Sequence, residues 1–251
     1  MTPDARPPAA PHDAGPAAAP HDARPLRRLL VILDYDGTAT TRECNEVVLQ
    51  AFVGDAWRPF EDEVRAGRLS HAACFARQIG LVRASRTELR GAMVAAAEPA
   101  PGLAAFLAAV RDGGGRAALV SAGFREAIEE VWRRHDLPPL EIVASELVGG
   151  GLAGEAGAAG RPPYRVAFSP RLGDCPRCGP AACKAAVLRA LRRPGDTVWV
   201  FGDGASDLCP AREADLVFAR GHLADACAAE SLPWRPLDFR VARRVLAEVA
   251  A

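Results

Sequence analysis

Two rhythms of hydrophobic and polar positions alternate along the chain. The first is a short, nearly unbroken apolar run. Leu29–Leu33 (LLVIL) is the plainest case; 116–120, 141–148, 197–201 (TVWVF) and 216–219 repeat it, with 164–168 as a return strand. Runs of this length without polar alternation suit strands buried on both faces of a sheet. The second rhythm spaces apolar residues three and four apart. It predicts helices over 43–52, 59–66, 70–81, 87–97, about 102–111, 124–135, 181–191, 207–213 and 239–249. Ser70 and Thr87 are placed as N-caps, with Glu88 following Thr87 in the first turn. Pro99, Pro101, the three glycines at 113–115 and the Pro138-Pro139 pair punctuate the pattern, and the Gly-rich stretch 149–160 reads as a turn or hairpin loop.

Strands alternating with helices indicate an α/β fold around a parallel, Rossmann-like sheet. The helical block 43–98 separates the first strand from the next strand unit and is too long for a simple crossover. It is read as an inserted cap, with the core formed by 29–42 and 99–251. In such a sheet, ligands bind beyond the carboxyl ends of the strands. Asp34, Ser121 and Asp203 each follow an apolar run directly, so they are expected to converge on one crevice.

Composition narrows the classes. The 251 residues carry 31 basic and 31 acidic side chains, a formal charge of zero, so no global field gathers nucleic acid or an anionic membrane surface. With 49% apolar and 25% charged residues the chain is globular, and no run reaches the ~18 apolar residues of a membrane span. Residues 1–28 are Pro/Ala-rich, repeat Pro-His-Asp-Ala at 11–14 and 20–23, and lack an apolar leader segment. They are read as a disordered tail in preference to a metal-binding one. Seven cysteines, an odd number without a leader, point to reduced thiols and a cytoplasmic setting. Lys184 is the only lysine; all other basic residues are arginines. A position that keeps Lys against this bias implies a need for a compact ammonium that a planar guanidinium cannot replace.

The chemistry concentrates in four segments: Asp34-Tyr35-Asp36-Gly37-Thr38, Val120-Ser121-Ala122-Gly123, Lys184, and Gly202-Asp203-Gly204-Ala205-Ser206-Asp207. Asp34 and Asp36 repel each other unless a cation or shared proton intervenes. Together with Asp203 and Asp207 they form an oxygen-rich acid set suited to Mg²⁺. A hydroxyl, backbone amides at a Gly turn and one ammonium make a cradle for a phosphate dianion. In this order, over about residues 29–220, the segments resemble the four motifs of the haloacid-dehalogenase-like (HAD) superfamily of phosphohydrolases, and the helical insert resembles its C1-type cap.

That resemblance implies a Mg²⁺-dependent phosphomonoesterase acting through an aspartyl-phosphate on a small phosphorylated metabolite. Asp34 would be nucleophile and Asp36 general acid, then base. Mg²⁺ would sit on Asp34, the Asp36 carbonyl and Asp203, with Asp207 as ligand or orienter. Ser121, Ala122, Gly123 and Lys184 would hold the phosphate, while Gly37 and Thr38 support the first turn. Residues 57–70 and the Cys-rich lead into Lys184 are similar to methionine-salvage phosphatases. Pro101-Gly102 and 120–125 are similar to phosphoserine phosphatases, and the runs 202–210 and 214–220 are similar both to the salvage enzymes and to the phosphocholine/phosphoethanolamine enzymes. The broader salvage-phosphatase-like group is favoured. The alternatives are the other two phosphatase types, a phosphotransferase or phosphomutase using the same intermediate, and a non-catalytic phosphate sensor. The resemblance does not set the oligomeric state.

Cap residues Glu43, Arg65 and Arg68 are candidates for reading the distal part of the substrate, Glu43 foremost. Cys175, Cys178 and Cys183 offer three thiolate ligands where zinc takes four. Cys209, Cys227 or His222 completes such a site only if the fold brings it near; the other reading is a compact loop of reduced thiols beside the phosphate site. His71 and His135 are read as surface or core-edge residues.

Overall fold

Strand β1 (Leu29–Leu33) is buried along its whole length because its two faces enter two different cores. Leu29, Val31 and Leu33 join one cluster, and Leu30 and Ile32 the other. The computed structural model describes residues 26–150 and 163–250. Eight further strands follow: β2 (Arg116–Phe124), β3 (Glu141–Val148), β4 (Arg165–Ala167), β5 (Gly173–Cys175), β6 (Gly179–Cys183), β7 (Thr197–Gly202), β8 (Leu216–Ala219) and β9 (Trp234–Pro236). Six of them join β1 in a seven-stranded sheet in the order β4-β3-β2-β1-β7-β8-β9, parallel except for β4, while β5 and β6 make a separate antiparallel hairpin. The α/β class with a parallel central sheet is the one the pattern predicts.

Four helices lie between β1 and β2 ahead of the crossover: α1 (Cys44–Val53), α2 (Arg58–Arg65), α3 (His71–Leu81) and α4 (Arg86–Ala96). Ser70 caps α3 by accepting from the Ala73 amide. The cap of α4 is Ser85, not Thr87. The Ser85 side chain accepts from the Glu88 amide while Glu88 reaches back to the Ser85 amide, a reciprocal pair that outcompetes a threonine already inside the helix. The crossover closes with α5 (Leu103–Asp112). Then come α6 (Arg125–Arg134), α7 (Lys184–Leu191), α8 (Leu208–Ala211), α9 (Gly221–Ala229) and α10 (Phe239–Ala250).

One sheet face is filled by aromatic rings. Phe201 stacks on Phe218 with centroids 4.6 Å apart and on Phe239 at 5.2 Å, with Phe106 tilted against both Phe201 and Phe239. These rings fix β7, β8, α5 and α10 to one another, and thereby the height at which β7 ends.

Four expectations change. Ala181, Ala182 and Cys183 are strand, not helix, because they pair back onto β5. Helix α9 and strand β9 extend the sheet beyond the predicted elements. Strand β2 continues through Ser121 to Phe124, with its pairing to β3 shifting register after Val120. Leu26, placed in the tail by composition, is buried and hydrogen-bonded through its amide to Gly113, and Arg28 accepts from Thr197. The rest of the expected tail and the centre of the Gly-rich stretch lie outside the described residues.

Candidate active site

Three neighbouring strands deliver the functional groups. Leu33 lies in register with Leu119 on one side and Phe201 on the other, so Asp34, Ser121 and Asp203 emerge at one edge of the sheet. After Asp34 the chain turns tightly through 35–39, with Gly37 at φ +64°. A Cβ at Gly37 would lie 2.2 Å from Asp203 Oδ2 and 2.4 Å from Glu43 Oε1, so both conformation and space demand glycine. Gly202 is confined likewise, since its Cβ would lie 2.5 Å from Asp207 Cγ.

Lys184 opens α7 and is 4% exposed. Its Nζ donates to Asp34 Oδ1 at 2.5 Å and to Asp207 Oδ1 at 2.7 Å. The other oxygen of Asp207 accepts from the amides of Asp203 (3.3 Å) and Gly204 (3.2 Å). Asp207 is therefore held on both oxygens by the protein itself. Thr38 Oγ1 donates to Asp203 Oδ1 at 3.2 Å. Asp36 is gripped from α1: the Cys44 amide donates to Oδ1 at 3.1 Å and Asn45 Nδ2 to Oδ2 at 2.7 Å. The Gly123 amide donates to Ser121 Oγ at 2.9 Å.

Crowding these acids has electrostatic consequences. Burial pushes the Asp34 carboxyl well above the usual carboxylate range, the Asp207 charge adds to this, and Lys184 opposes it. Burial raises Asp36 to about 6, against the pull of Lys184 and of its two α1 donors. Glu43 rises to about 9 through burial and a hydrogen bond shared with Asp203. Burial alone would lower Lys184, but Asp207 and Asp34 outweigh it and hold the ammonium charged.

The carboxylate oxygens of Asp34, Asp203 and Asp207 lie within 4.8 Å of one another. An oxygen-only, anionic set at a buried strand edge fits a hard divalent cation such as Mg²⁺. Above it opens a cavity of about 190 Å³. Of the sequence-predicted residues, Asp34, Asp36, Glu43, Ser121, Ala122, Gly123, Lys184, Asp203 and Cys178 line it, with Gly37, Thr38 and Asp207 behind them. Arg65 and Arg68 do not: they pair on the surface with Asp62 (2.9 Å) and Glu63 (2.6 Å). Arg65 closes α2 and Arg68 lies in the turn after it, both exposed to solvent, so neither borders the cavity as expected of a substrate reader.

Sequence reasoning missed Asn45, Ala72, Phe75, Phe168 and Ala182 in the lining, and placed His71 at a surface or core edge. Four of these carried a signal. Asn45 follows Glu43 at the start of a helix directly after the first motif, and His71, Ala72 and Phe75 share one face of α3 by their spacing.

A parallel α/β sheet whose central strands end in two acid pairs, with a buried lysine at the head of α7 bridging them, has the form of a hydrolase of phosphate esters. The comparisons agree: the family model for haloacid dehalogenase-like hydrolases matches residues 31–212, and the chain belongs to that family. It is 29% identical over 234 residues to the bifunctional enzyme MtnB/MtnX of Bacillus licheniformis, covering 90% of this chain and about half (51%) of that longer protein. It is 27% identical over 209 residues to a 2-hydroxy-3-keto-5-methylthiopentenyl-1-phosphate phosphatase of an Exiguobacterium species, covering 83% of this chain and 92% of the relative. In fold it is similar to a phosphoserine phosphatase solved in the apo form (TM-score 0.63, 17% identity, 88% of this chain and 98% of that one). A probable phosphoserine phosphatase of Vibrio cholerae gives a TM-score of 0.60 at 20% identity, over 88% of this chain and 64% of the other. No helix among the described residues is long and apolar enough to cross a membrane.

Proposed function

We propose that the chain is a Mg²⁺-dependent phosphomonoesterase for a small metabolite, working through an aspartyl-phosphate on Asp34. The observation that carries this reading is the Lys184 bridge, which fixes Asp34 and Asp207 on one ammonium at the floor of the cavity. Asp34 attacks phosphorus as the carboxylate, with Lys184 offsetting the charge of both nucleophile and phosphate. Asp36, held at Oδ1 and Oδ2 by α1, gives its proton to the leaving alkoxide. It then takes one from the water that cleaves the acyl-phosphate, a role suited to a carboxyl titrating at about 6. Ser121 Oγ, fixed by the Gly123 amide, and the adjoining backbone face the transferring group. Mg²⁺, when bound by Asp34, Asp203 and the Asp36 carbonyl, supplies charge neutralisation for an anionic nucleophile meeting an anionic ester. Asp207, held by Lys184 and by two amides, orients Lys184 and completes the acid set around the ion.

Helices α1–α4, residues 43–98, act as the cap over this site. The cavity of about 190 Å³ falls below the range of about 300–1,000 Å³ usual for drug-sized ligands, which restricts the substrate to a small molecule. Its upper wall is Ala72, Phe75 and Phe168. Among the described lining residues the cations are Lys184 and His71, and burial moves His71 below its ordinary value, toward the neutral form. A substrate whose far end is neutral or apolar suits this wall better than the carboxylate of phosphoserine. That agrees with the relatives named as salvage phosphatases.

Phosphate release tests the reading, with p-nitrophenyl phosphate and then a panel of the methionine-salvage intermediate, phosphoserine and phosphocholine, each with and without Mg²⁺. The expected outcome is Mg²⁺-dependent turnover, fastest on the salvage intermediate and abolished in Asp34→Asn. Undiminished activity in Asp34→Asn refutes the mechanism. A preference for phosphoserine refutes the substrate reading alone.

A further inference from the structure

Behind the phosphate floor, the fold gathers a second and chemically different cluster. Cys175, Cys178 and Cys183 come from the β5–β6 hairpin, and Cys209 arrives from α8, two residues past Asp207. All four Sγ atoms lie within 4.8 Å of one another, with Cys178 to Cys209 at 3.6 Å and Cys175 to Cys209 at 4.0 Å. A tetrahedral metal with bonds of about 2.3 Å to thiolates spaces its sulfurs about 3.8 Å apart. A disulfide needs about 2.05 Å and uses sulfurs two at a time. The four cysteines are all free thiols.

The local chain is built for convergence. Cys175 and Cys178 flank the turn of the hairpin, with Cys175 in register with Gly179. Gly179, at φ +88°, turns the chain immediately after Cys178. The Cys178 amide donates to Cys175 Sγ at 3.1 Å, the orienting backbone hydrogen bond that a metal-bound thiolate takes. Cys227, His222, Cys44 and Cys74 are not in the cluster.

We propose that Cys175, Cys178, Cys183 and Cys209 bind a structural Zn²⁺. Four thiolates close the coordination shell and leave no open position for a water or phosphate, so the site holds structure and does not take part in hydrolysis. What it holds follows from the chain. Cys183 precedes Lys184 directly, Cys209 follows Asp207 by two residues, and Cys178 faces the cavity. The ion ties the segment carrying Lys184 to the segment carrying Asp207 across a junction that no main-sheet strand pairing bridges. The hairpin also abuts α3 through Gly179, where a Cβ would lie 2.7 Å from Ser70 Cβ. The bolt therefore reaches the helix that carries His71 and Phe75.

The test uses the full chain, purified without a chelating column, and reads metal and thiols rather than turnover, so its outcome is separate from that of the phosphatase reading. Elemental analysis is expected to find one zinc per chain that survives dialysis. A strong chelator should release four thiols to a thiol reagent, while Cys44, Cys74 and Cys227, all buried, stay unreactive in the folded chain. Cobalt substitution should give tetrahedral ligand-field bands and thiolate-to-cobalt charge transfer, which an oxygen site at Asp34 and Asp203 cannot produce. Cys209→Ser should lose the zinc and Cys227→Ser should keep it; if Cys209→Ser fails to fold, the cobalt spectrum of the unaltered chain decides. Protein from zinc-supplemented medium that carries no zinc and takes up none in titration overturns the proposal. So does iron in place of zinc, or a zinc that leaves with Asp203→Asn and not with Cys209→Ser.

Discussion

Replacing Lys184 by Met removes the cation that two buried carboxylates share and keeps most of the side-chain volume. Lys184 is 4% exposed, Asp34 8% and Asp207 1%. Breaking a buried ion pair on one side costs about 3–5 kcal/mol, because the remaining charge is left desolvated. The lower end applies here, since Asp34 can escape by taking a proton, its carboxyl already standing well above the usual range. A loss of about 3 kcal/mol lowers the melting temperature of a chain this size by about 6–12 °C. The pH dependence has a definite sign. The unaltered Lys184, raised above its ordinary value, contributes its full stabilisation at every pH below about 10.4 and is not lost in the working range. Asp34, also raised, binds its proton more tightly in the folded protein, so stability falls as pH climbs from about 3.9 through the folded value. Without Lys184 that folded value moves higher still. The deficit of Lys184→Met is therefore expected to be smallest near pH 5 and largest near pH 9. Calorimetry without added divalent metal measures it, and excess Mg²⁺ should recover part of it by binding the folded state. A melting temperature unchanged at pH 8, or a deficit that grows on acidification, refutes the assignment of Lys184 as the counter-charge of this site.

The other predictions concern turnover and helix stability. Asn45→Ala removes a hydrogen bond to the ionised form of Asp36, worth about 1.5–3 kcal/mol, so the alkaline limb of kcat/KM should move from near 6 to higher pH by about one unit or more. A limb that stays or falls refutes Asp36 as the acid. Gly37→Ala drives a methyl against Asp203 and Glu43, and a displacement on the order of 1 Å there should cost about 10²-fold in kcat, with the protein still folded by circular dichroism. Ser85→Ala breaks the reciprocal cap of α4 and should cost about 1 kcal/mol in denaturant unfolding, with kcat and KM unchanged. Arg65→Ala and Arg68→Ala should leave KM unchanged for every phosphate ester tested, because both side chains spend their charge on surface acids.

How much of this was legible in the chain depends on what each residue has to do. Strands β1, β7 and β8 were readable because a strand buried on both faces has no polar option, and each ends where a charged residue begins, Asp34, Asp203 and Arg220. Strand β9 was not, since Trp234–Pro236 is three residues long, mostly exposed and set among prolines, Pro233 and Pro236, that read as loop. The β5–β6 hairpin was misread in part as helix because Ala181 and Ala182 favour helix, and pairing with Gly173–Cys175 overrides that preference. At the site, acids and the lysine announce themselves because so few other roles put such groups after an apolar run. Phe75 and Phe168, which shape the distal wall, are indistinguishable in sequence from any core aromatic. Cys209 carried a meaning only the fold could show: it stands 26 residues beyond Cys183, past a whole helix and strand, yet its sulfur meets the others.

The solitary lysine shows how a composition becomes a geometry. In a chain whose other basic side chains are all arginine, the surface pairs Arg68–Glu63, Arg189–Glu213 and Arg212–Glu230 use the planar fork in two-point contact with one carboxylate. The task at 184 is the opposite: one atom must serve two carboxylates on different segments, Asp34 at the end of β1 and Asp207 beyond β7. A compact ammonium meets both from a single point with its three donors. A guanidinium spreads its charge over a plane and cannot present a single donor atom to both acids. Both side chains carry one positive charge, so net electrostatics does not discriminate between them. What holds lysine at this position is the geometry of one donor atom shared by two acids, which makes Lys184→Arg a non-conservative change despite its unchanged charge.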